Sequence, residues 1–254
     1  GAVLAEGLAG VSLLAADLSK AEECVSLRID ADGPVRGFQS EAHVSGGLRG
    51  YTVIKILNEF DGMEPIGVQP ALGDAGTAQI VRSVPGKILS AATVRTDSPC
   101  VRMAVARYFN RSVQVPTGAE IVVDAGAAGI AIARGLAAGR TPDGSSADFV
   151  RILEAFESGA IRRLLARPDP RLDLAEALGL ADLDVTDETP LQFACRCSHE
   201  RAAATLSTLS DDAIRDILDT DGESTVHCHF CGHAYVLDAD LLEETLAARR
   251  EESA

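Results

Sequence analysis

Four of the six cysteines in this chain, Cys195, Cys197, Cys228 and Cys231, fall into two close pairs near its C-terminal end. Thiolate sulfur is a soft anionic donor, and four such donors in two pairs match tetrahedral zinc, which has no redox chemistry of its own. In Cys195-Arg196-Cys197 an extended backbone sends residues i and i+2 to one face, so both sulfurs can reach one ion. In Cys228-His229-Phe230-Cys231 the sulfurs converge across a tight turn, and Gly232 permits the left-handed backbone that often follows such a knuckle. The spacing therefore predicts one zinc ion per chain on these four residues, with no position left open for catalysis. His199, His227, His229 and His233 crowd the same stretch. With four thiols at hand, they are expected at the surface or as donors to sulfur, not as ligands.

A zinc-held module of about 60 residues has little core of its own, and coordination can supply on the order of 10–16 kcal/mol of its folding free energy. Because each pair is local in sequence, oxidation can close Cys195 to Cys197 and Cys228 to Cys231 as disulfides and eject the ion. Spacing alone does not separate such a switch from a constitutive zinc ribbon that shapes a surface for a protein partner. A thioredoxin-type site is disfavoured. Its CxxC lies between a strand and a helix N-terminus, whereas this one lies between Thr225-Val226-His227 and Ala234-Tyr235-Val236, a small hairpin pattern. Cys24 and Cys100 are isolated in the sequence and read as small buried or surface thiols. A secreted disulfide scaffold would spread its cysteines through a much smaller chain, so a reducing, cytoplasmic location is expected.

The remainder of the chain has to frame this centre. Its 254 residues are 46% hydrophobic with no Trp, enough for an aliphatic core. Acidic residues outnumber basic ones by 38 to 23, and the net charge of −15 disfavours nucleic acid and anionic lipid as partners. The apolar stretches Gly7 to Ala16 and Ile121 to Ala133 are too short or too rich in Gly and Ala to span a bilayer, so a soluble protein is expected. Val3-Leu4-Ala5 enters an apolar segment without a basic region or cleavage site and does not read as a secretory signal.

Leu4, Leu8, Val11, Leu14 and Leu18 predict an amphipathic helix ending near Ser19 and Lys20. Val25, Leu27 and Ile29 alternate as one face of a strand, Asp32-Gly33-Pro34 makes a turn, and Val35 to Val44 resumes an extended pattern. Further strands are expected at Gln79 to Val84 and Ile88 to Val94 around Pro85-Gly86, and at Glu120 to Val123 and Gly129 to Ala133. Between them Ser98 can cap a helix whose face is Val101, Ala104, Val105 and Tyr108, ending near Asn110. From Ser146 to about Leu180 the pattern is helical, with Phe149, Ile152, Leu153 and Phe156 on one stripe and Ile161, Leu164 and Leu165 on the next. Pro168 and Pro170 interrupt it, and an acidic stretch, Asp182 to Glu188, follows. Helices are expected again near Asp211 to Leu218 and Ala239 to Arg249. The class expected is α+β: an N-terminal domain of antiparallel sheet with helices (1–143), a helical linker (144–190) and a small C-terminal zinc-binding module (191–254). Gly126 to Gly139 lacks the patterns of a phosphate loop, and neither a Ser/His/Asp set nor paired carboxylates are organised, so no enzyme is expected.

With these residues in place, the sequence resembles the heat shock protein 33 family of redox-regulated chaperones. Phe193 to Arg201 looks like the family's C-x-C-S-x-E-R segment, and His227 to Gly232 with Tyr235 like its second knuckle. Ser12-Leu13-Leu14, Asp32-Gly33-Pro34, Leu48-Arg49-Gly50-Tyr51 and Tyr108 to Thr117 are similar to its N-terminal motifs, although the family usually has Glu where Val113 stands. The resemblance implies an ATP-independent holdase, inactive while reduced and zinc-bound. Oxidants would release zinc, form two disulfides and unfold the zinc module with the linker. Activated members dimerise and bind unfolded or oxidatively damaged client proteins. Leu164, Leu165, Leu172, Leu174 and Leu178 are the candidates for the surface so exposed.

Overall fold

The computed structural model describes residues 1–56, 67–96, 99–125, 131–139, 146–171, 173–180 and 183–252. They form two compact units, Gly1–Phe193 and Ala194–Ala254. The first runs α1 (Ala2–Ala15), β1 (Cys24–Ala31), β2 (Gly37–His43), β3 (Gly47–Thr52), α2 (Val68–Leu72), β4 (Gly76–Val84), β5 (Lys87–Thr96), α3 (Val101–Tyr108), β6 (Thr117–Ala125), β7 (Ala131–Gly139), α4 (Ser146–Glu157), α5 (Ala160–Leu165), α6 (Leu174–Leu178) and β8 (Gln192–Phe193). A six-stranded sheet has the order β5-β4-β1-β2-β3-β8, antiparallel except for the short parallel β3–β8 pair, while β6 and β7 form a separate ribbon. The α+β class expected from sequence is the class found.

The sheet forms where the side-chain pattern demands it. Val25, Leu27 and Ile29 of central β1 are fully buried, and Arg28 pairs with Asp30 on the opposite face. Pro85-Gly86 closes β4 onto β5, with Gly86 at φ +74°, a conformation that costs glycine nothing. The strand expected at Gly129 to Ala133 is found as Ala131–Gly139; residues 129 and 130 lie outside the described residues. A run of Ala and Gly has little periodicity from which to fix a boundary.

Two expectations for α1 need correction. It ends at Ala15, not near Lys20, because the Glu23 carboxylate accepts the backbone N–H groups of Ser19 and Lys20, which turns the chain out of the helix. It is also apolar on more than one side. A Cβ on Gly7 would stand 2.5 Å from the Phe38 ring and one on Gly10 would stand 2.3 Å from Val101, while Leu13 lies over Gly135 of β7. The helix thus packs between the large sheet and the β6–β7 ribbon, and Ser40 Oγ ties it down by donating to the Gly7 carbonyl at 3.0 Å.

In α3 the expected face, Val101, Ala104, Val105 and Tyr108, is buried. Its N-cap is Cys100; Ser98 lies outside the described residues. The helix passes into a π turn, Phe109–Val113, where the Asn110 side chain bonds the carbonyls of Ala106 and Thr117 and accepts the Thr117 N–H. Helices α4 to α6 match the expected helical stretch, broken around Pro168 and Pro170. Ile161, Leu165 and Leu178 pack with Ala155 against Val122 of β6 and Leu136 of β7. Of the leucines singled out above, Leu164, Leu165 and Leu178 are buried and Leu174 is partly buried; Leu172 lies outside the described residues. Residues 183–191 form neither helix nor strand.

Glu6 of α1 faces Arg102 of α3, Glu120 of β6 and Arg162 of α5, and burial outweighs the Val101 N–H and both arginines to push its carboxyl up to about 7. A carboxyl with a raised native value costs no stability below its ordinary value of 4.5 and an increasing amount as pH rises to about 7. Glu6→Gln is therefore expected to stabilise the first unit at pH 8 by on the order of 2–3 kcal/mol and to leave it unchanged at pH 4. Urea unfolding at the two pH values checks this, and equal effects at both would refute it.

Candidate metal centre

The second unit runs α7 (His199–Ala203), a 3-10 turn (Ala204–Thr208), α8 (Asp211–Thr220), β9 (Ser224–His227), β10 (Ala234–Leu237) and α9 (Ala239–Glu252). Both expected helices and the hairpin are present. Ser198 caps α7 by accepting the Arg201 N–H, and Ser210 caps α8 by accepting the Ala213 N–H. The buried core is small: Ala202, Leu206, Ile214, Leu237, Leu242 and Leu246.

Antiparallel pairing of Ala234 with His227 places Cys228 and Cys231 in the connecting knuckle. There the Cys228 N–H donates to the His233 carbonyl and the Gly232 N–H to the Cys228 carbonyl, each at 2.8 Å. Gly232 has φ +76°, the left-handed backbone read from its position. Cys195 and Cys197 lie on a segment without a ladder, pinned by Ser198 at the start of α7 and by Arg201 Nη1, which donates to the Arg196 carbonyl at 2.8 Å. The two knuckles bring all four sulfurs within 4.8 Å of one another. Two short separations run between the knuckles, Cys195 to Cys228 at 3.6 Å and Cys197 to Cys231 at 3.5 Å.

These distances fit one cation. With metal–sulfur bonds of about 2.3 Å, a tetrahedron has sulfur–sulfur edges of about 3.8 Å. The electrostatics point the same way. The His233 N–H favours the Cys231 thiolate, but its bond to Cys197, desolvation and the nearby Cys195 and Cys228 together push the thiol up to about 12. Four sulfurs this close do not ionise together without a positive charge between them. Cys231 is the exposed member, and the other three are half-buried.

The cluster consists of the four sulfurs; no imidazole joins them among the described residues. His199 directs Nε2 at the Val236 carbonyl, 3.1 Å away, and packs edge-on against Tyr235, as does His233. Tyr235 is the contributor that spacing arguments miss: its hydroxyl donates to Cys197 Sγ at 3.1 Å. That bond, with desolvation and the nearby sulfurs, holds the phenol up at about 12, so it stays a donor. Strand alternation could have found it, since Tyr235 shares a face with the buried Leu237. Cys24 is buried in the first unit with its thiol 3.8 Å from the Val25 carbonyl, and Cys100 is half-buried there.

The family model described as Hsp33 protein matches residues 1–238. The 33 kDa chaperonin of Microcystis aeruginosa is 29% identical over 267 residues, which covers 99% of this chain and 86% of the relative. That of Geobacillus kaustophilus is 27% identical, covering 92% of this chain and 81% of its own length. A crystal structure of the 33 kDa chaperonin from Thermotoga maritima shares the fold with a TM-score of 0.77, at 24% identity over 98% of this chain and 86% of that one.

Proposed function

The chain belongs to the Hsp33 family of chaperones, and from that premise we propose that it is a redox-regulated, ATP-independent holdase whose switch is the four-sulfur centre. The observation that carries the reading is the gathering of Cys195, Cys197, Cys228 and Cys231 within 4.8 Å on two short knuckles. An all-sulfur tetrahedral donor set selects zinc among the common cellular divalent ions, and zinc when bound supplies charge neutralisation and folding energy, not catalysis.

In the reduced state the four thiolates hold one ion and the second unit stays folded. An oxidant such as a peroxide draws two electrons from each local pair. One sulfur attacks the peroxide, its S–O bond forming as the O–O bond breaks and hydroxide leaves. The partner sulfur then displaces the second oxygen as hydroxide, and both hydroxides take up protons to become water. Cys195 pairs with Cys197 and Cys228 with Cys231, so no ligand is left for the ion. With a core as small as Ala202, Leu206, Ile214, Leu237, Leu242 and Leu246, the unit then loses its fold. The linker leucines Leu164, Leu165 and Leu178, covered in the folded chain, together with Leu172 and the partly buried Leu174, become the surface offered to unfolded or oxidatively damaged clients, and the active form is a homodimer. A cytoplasmic site of action, without nucleic acid or membrane, fits the charge of −15 and the thiol chemistry. Among the described residues no helix is long and apolar enough to cross a membrane.

Zinc release, followed with a chromophoric chelator, and light scattering by a heat-denatured client are to be recorded together. Peroxide with mild heating is expected to release one zinc per chain and to suppress aggregation, and reduction with zinc to reverse both. Equal protection by the reduced, zinc-loaded chain would leave the constitutive zinc ribbon as the reading.

A further inference from the structure

Tyr235 stands on β10 at the rim of the sulfur cluster, its backbone fixed by pairing with Val226. Its ring meets His233 edge-on with centroids 4.5 Å apart, and His199 at 6.4 Å. His199 is itself anchored to the neighbouring strand residue through the Val236 carbonyl. The phenol therefore has little freedom, and its hydroxyl is directed at one sulfur, Cys197 Sγ, 3.1 Å away. A hydrogen bond to an anionic sulfur withdraws electron density from it, which lowers both its donation to a metal and its attack on an electrophile. It also fixes the direction in which the sulfur points, and such outer partners of metal ligands are typically worth about 10–100-fold in affinity.

We propose that Tyr235 is a positioning residue of the metal centre, its hydroxyl fixing Cys197 towards the ion and damping that sulfur's reaction with oxidant. This rests on the zinc reading given above. It assigns to the two imidazoles a role in holding the phenol in place instead of binding metal, and it makes the reactivity of Cys197 depend on a side-chain hydroxyl.

The whole reduced chain is to be loaded with Co2+ and the sulfur-to-cobalt charge-transfer absorption recorded for three forms: the native chain, Tyr235→Phe, and the chain with 3-fluorotyrosine at position 235. Zinc affinity is measured by chelator competition, and oxidation of Cys197 relative to Cys228 by mass spectrometry after peroxide treatment and alkylation. All three forms are expected to bind one metal. In Tyr235→Phe the absorption should move to longer wavelength, zinc should bind roughly 10–100-fold more weakly, and Cys197 should gain on Cys228 in rate. The fluorinated phenol, a stronger donor of the same shape, should move the absorption the opposite way. Purely structural packing by the ring would not produce opposite shifts. One bound metal with an unmoved absorption in both altered chains would overturn this proposal alone. Should Tyr235→Phe fail to fold, the fluorinated chain decides by itself. A native chain that binds no metal through its thiolates would overturn the zinc reading, and this inference with it.

Discussion

Cys228→Ser is expected to prevent metal binding and to leave residues 194–254 without a fixed structure. A serine hydroxyl is a poor substitute for thiolate, and the remaining three sulfurs cannot complete a closed tetrahedral site. The free energy at stake is large, on the order of 10–16 kcal/mol for structural zinc at neutral pH. Against it stands the small core of the second unit, built on Leu206, Ile214, Leu237 and Leu242 around a hairpin of two four-residue strands. Helix caps at Ser198 and Ser210 contribute only about 1 kcal/mol each and cannot replace the ion. Zinc content should fall from one per chain to none, and amide exchange in α8 and α9 should become fast. Stripping the native chain with a strong chelator under reducing conditions should reproduce the loss, and zinc should restore the native chain but not the variant. A variant that keeps slow exchange in α8 without metal would show that the core alone suffices.

Arg82→Met is expected to destabilise the first unit by about 3–5 kcal/mol at pH 7. Glu23 is 1% exposed, and its Oε1 accepts Arg82 Nε at 3.0 Å and Nη2 at 2.8 Å, while Oε2 takes the N–H groups of Ser19 and Lys20. Burial alone would raise this carboxyl; the guanidinium and the two N–H groups outweigh burial and hold it below the ordinary value of 4.5. The stability so supplied is fully present above that value and is lost as pH falls through the lowered native value. Methionine keeps the length of the side chain but leaves a carboxylate in the interior without its cation. The deficit should then shrink on acidification, as Glu23 in the variant takes up a proton. Amide exchange of β1 and β4 at pH 7 and pH 4.5 measures it. Glu23→Leu combined with Arg82→Met should recover most of the loss, because the pair is then replaced by apolar contact. A deficit of the same size at both pH values would show that lost packing, not the unpaired charge, is responsible.

Much of the fold is legible along the chain. Val25, Leu27 and Ile29 announce a strand buried on one side, and they are fully buried. Asp32-Gly33-Pro34 and Pro85-Gly86 mark the two turns that set the antiparallel neighbours of β1 and β4. The leucines of α1 carry less of this information. Apolar spacing identifies a helix, but the extra residues Leu13 and Val3 and the bare surfaces at Gly7 and Gly10 show their purpose only when a sheet lies on one side and the β6–β7 ribbon on the other. The early end of α1 is likewise invisible locally, since it depends on the carboxylate of Glu23 and on Arg82 from β4.

By itself, the sequence determined the candidate donor set: two pairs of cysteines, each close enough along the chain to share an ion, because reach over one to three residues is governed by backbone geometry alone. It likewise determined which stretches would be helix or strand wherever periodicity was strong. The tertiary structure alone decided that sulfurs of the two knuckles meet, Cys195 with Cys228 and Cys197 with Cys231, that Tyr235 directs its hydroxyl at Cys197, and that Leu164, Leu165 and Leu178 are covered. Each of these is a meeting of residues far apart in the chain. A periodic pattern records that a face is apolar or that a donor is present, but what that face or donor meets depends on how separate elements pack, and packing is settled by the shape and chemistry of the whole interior.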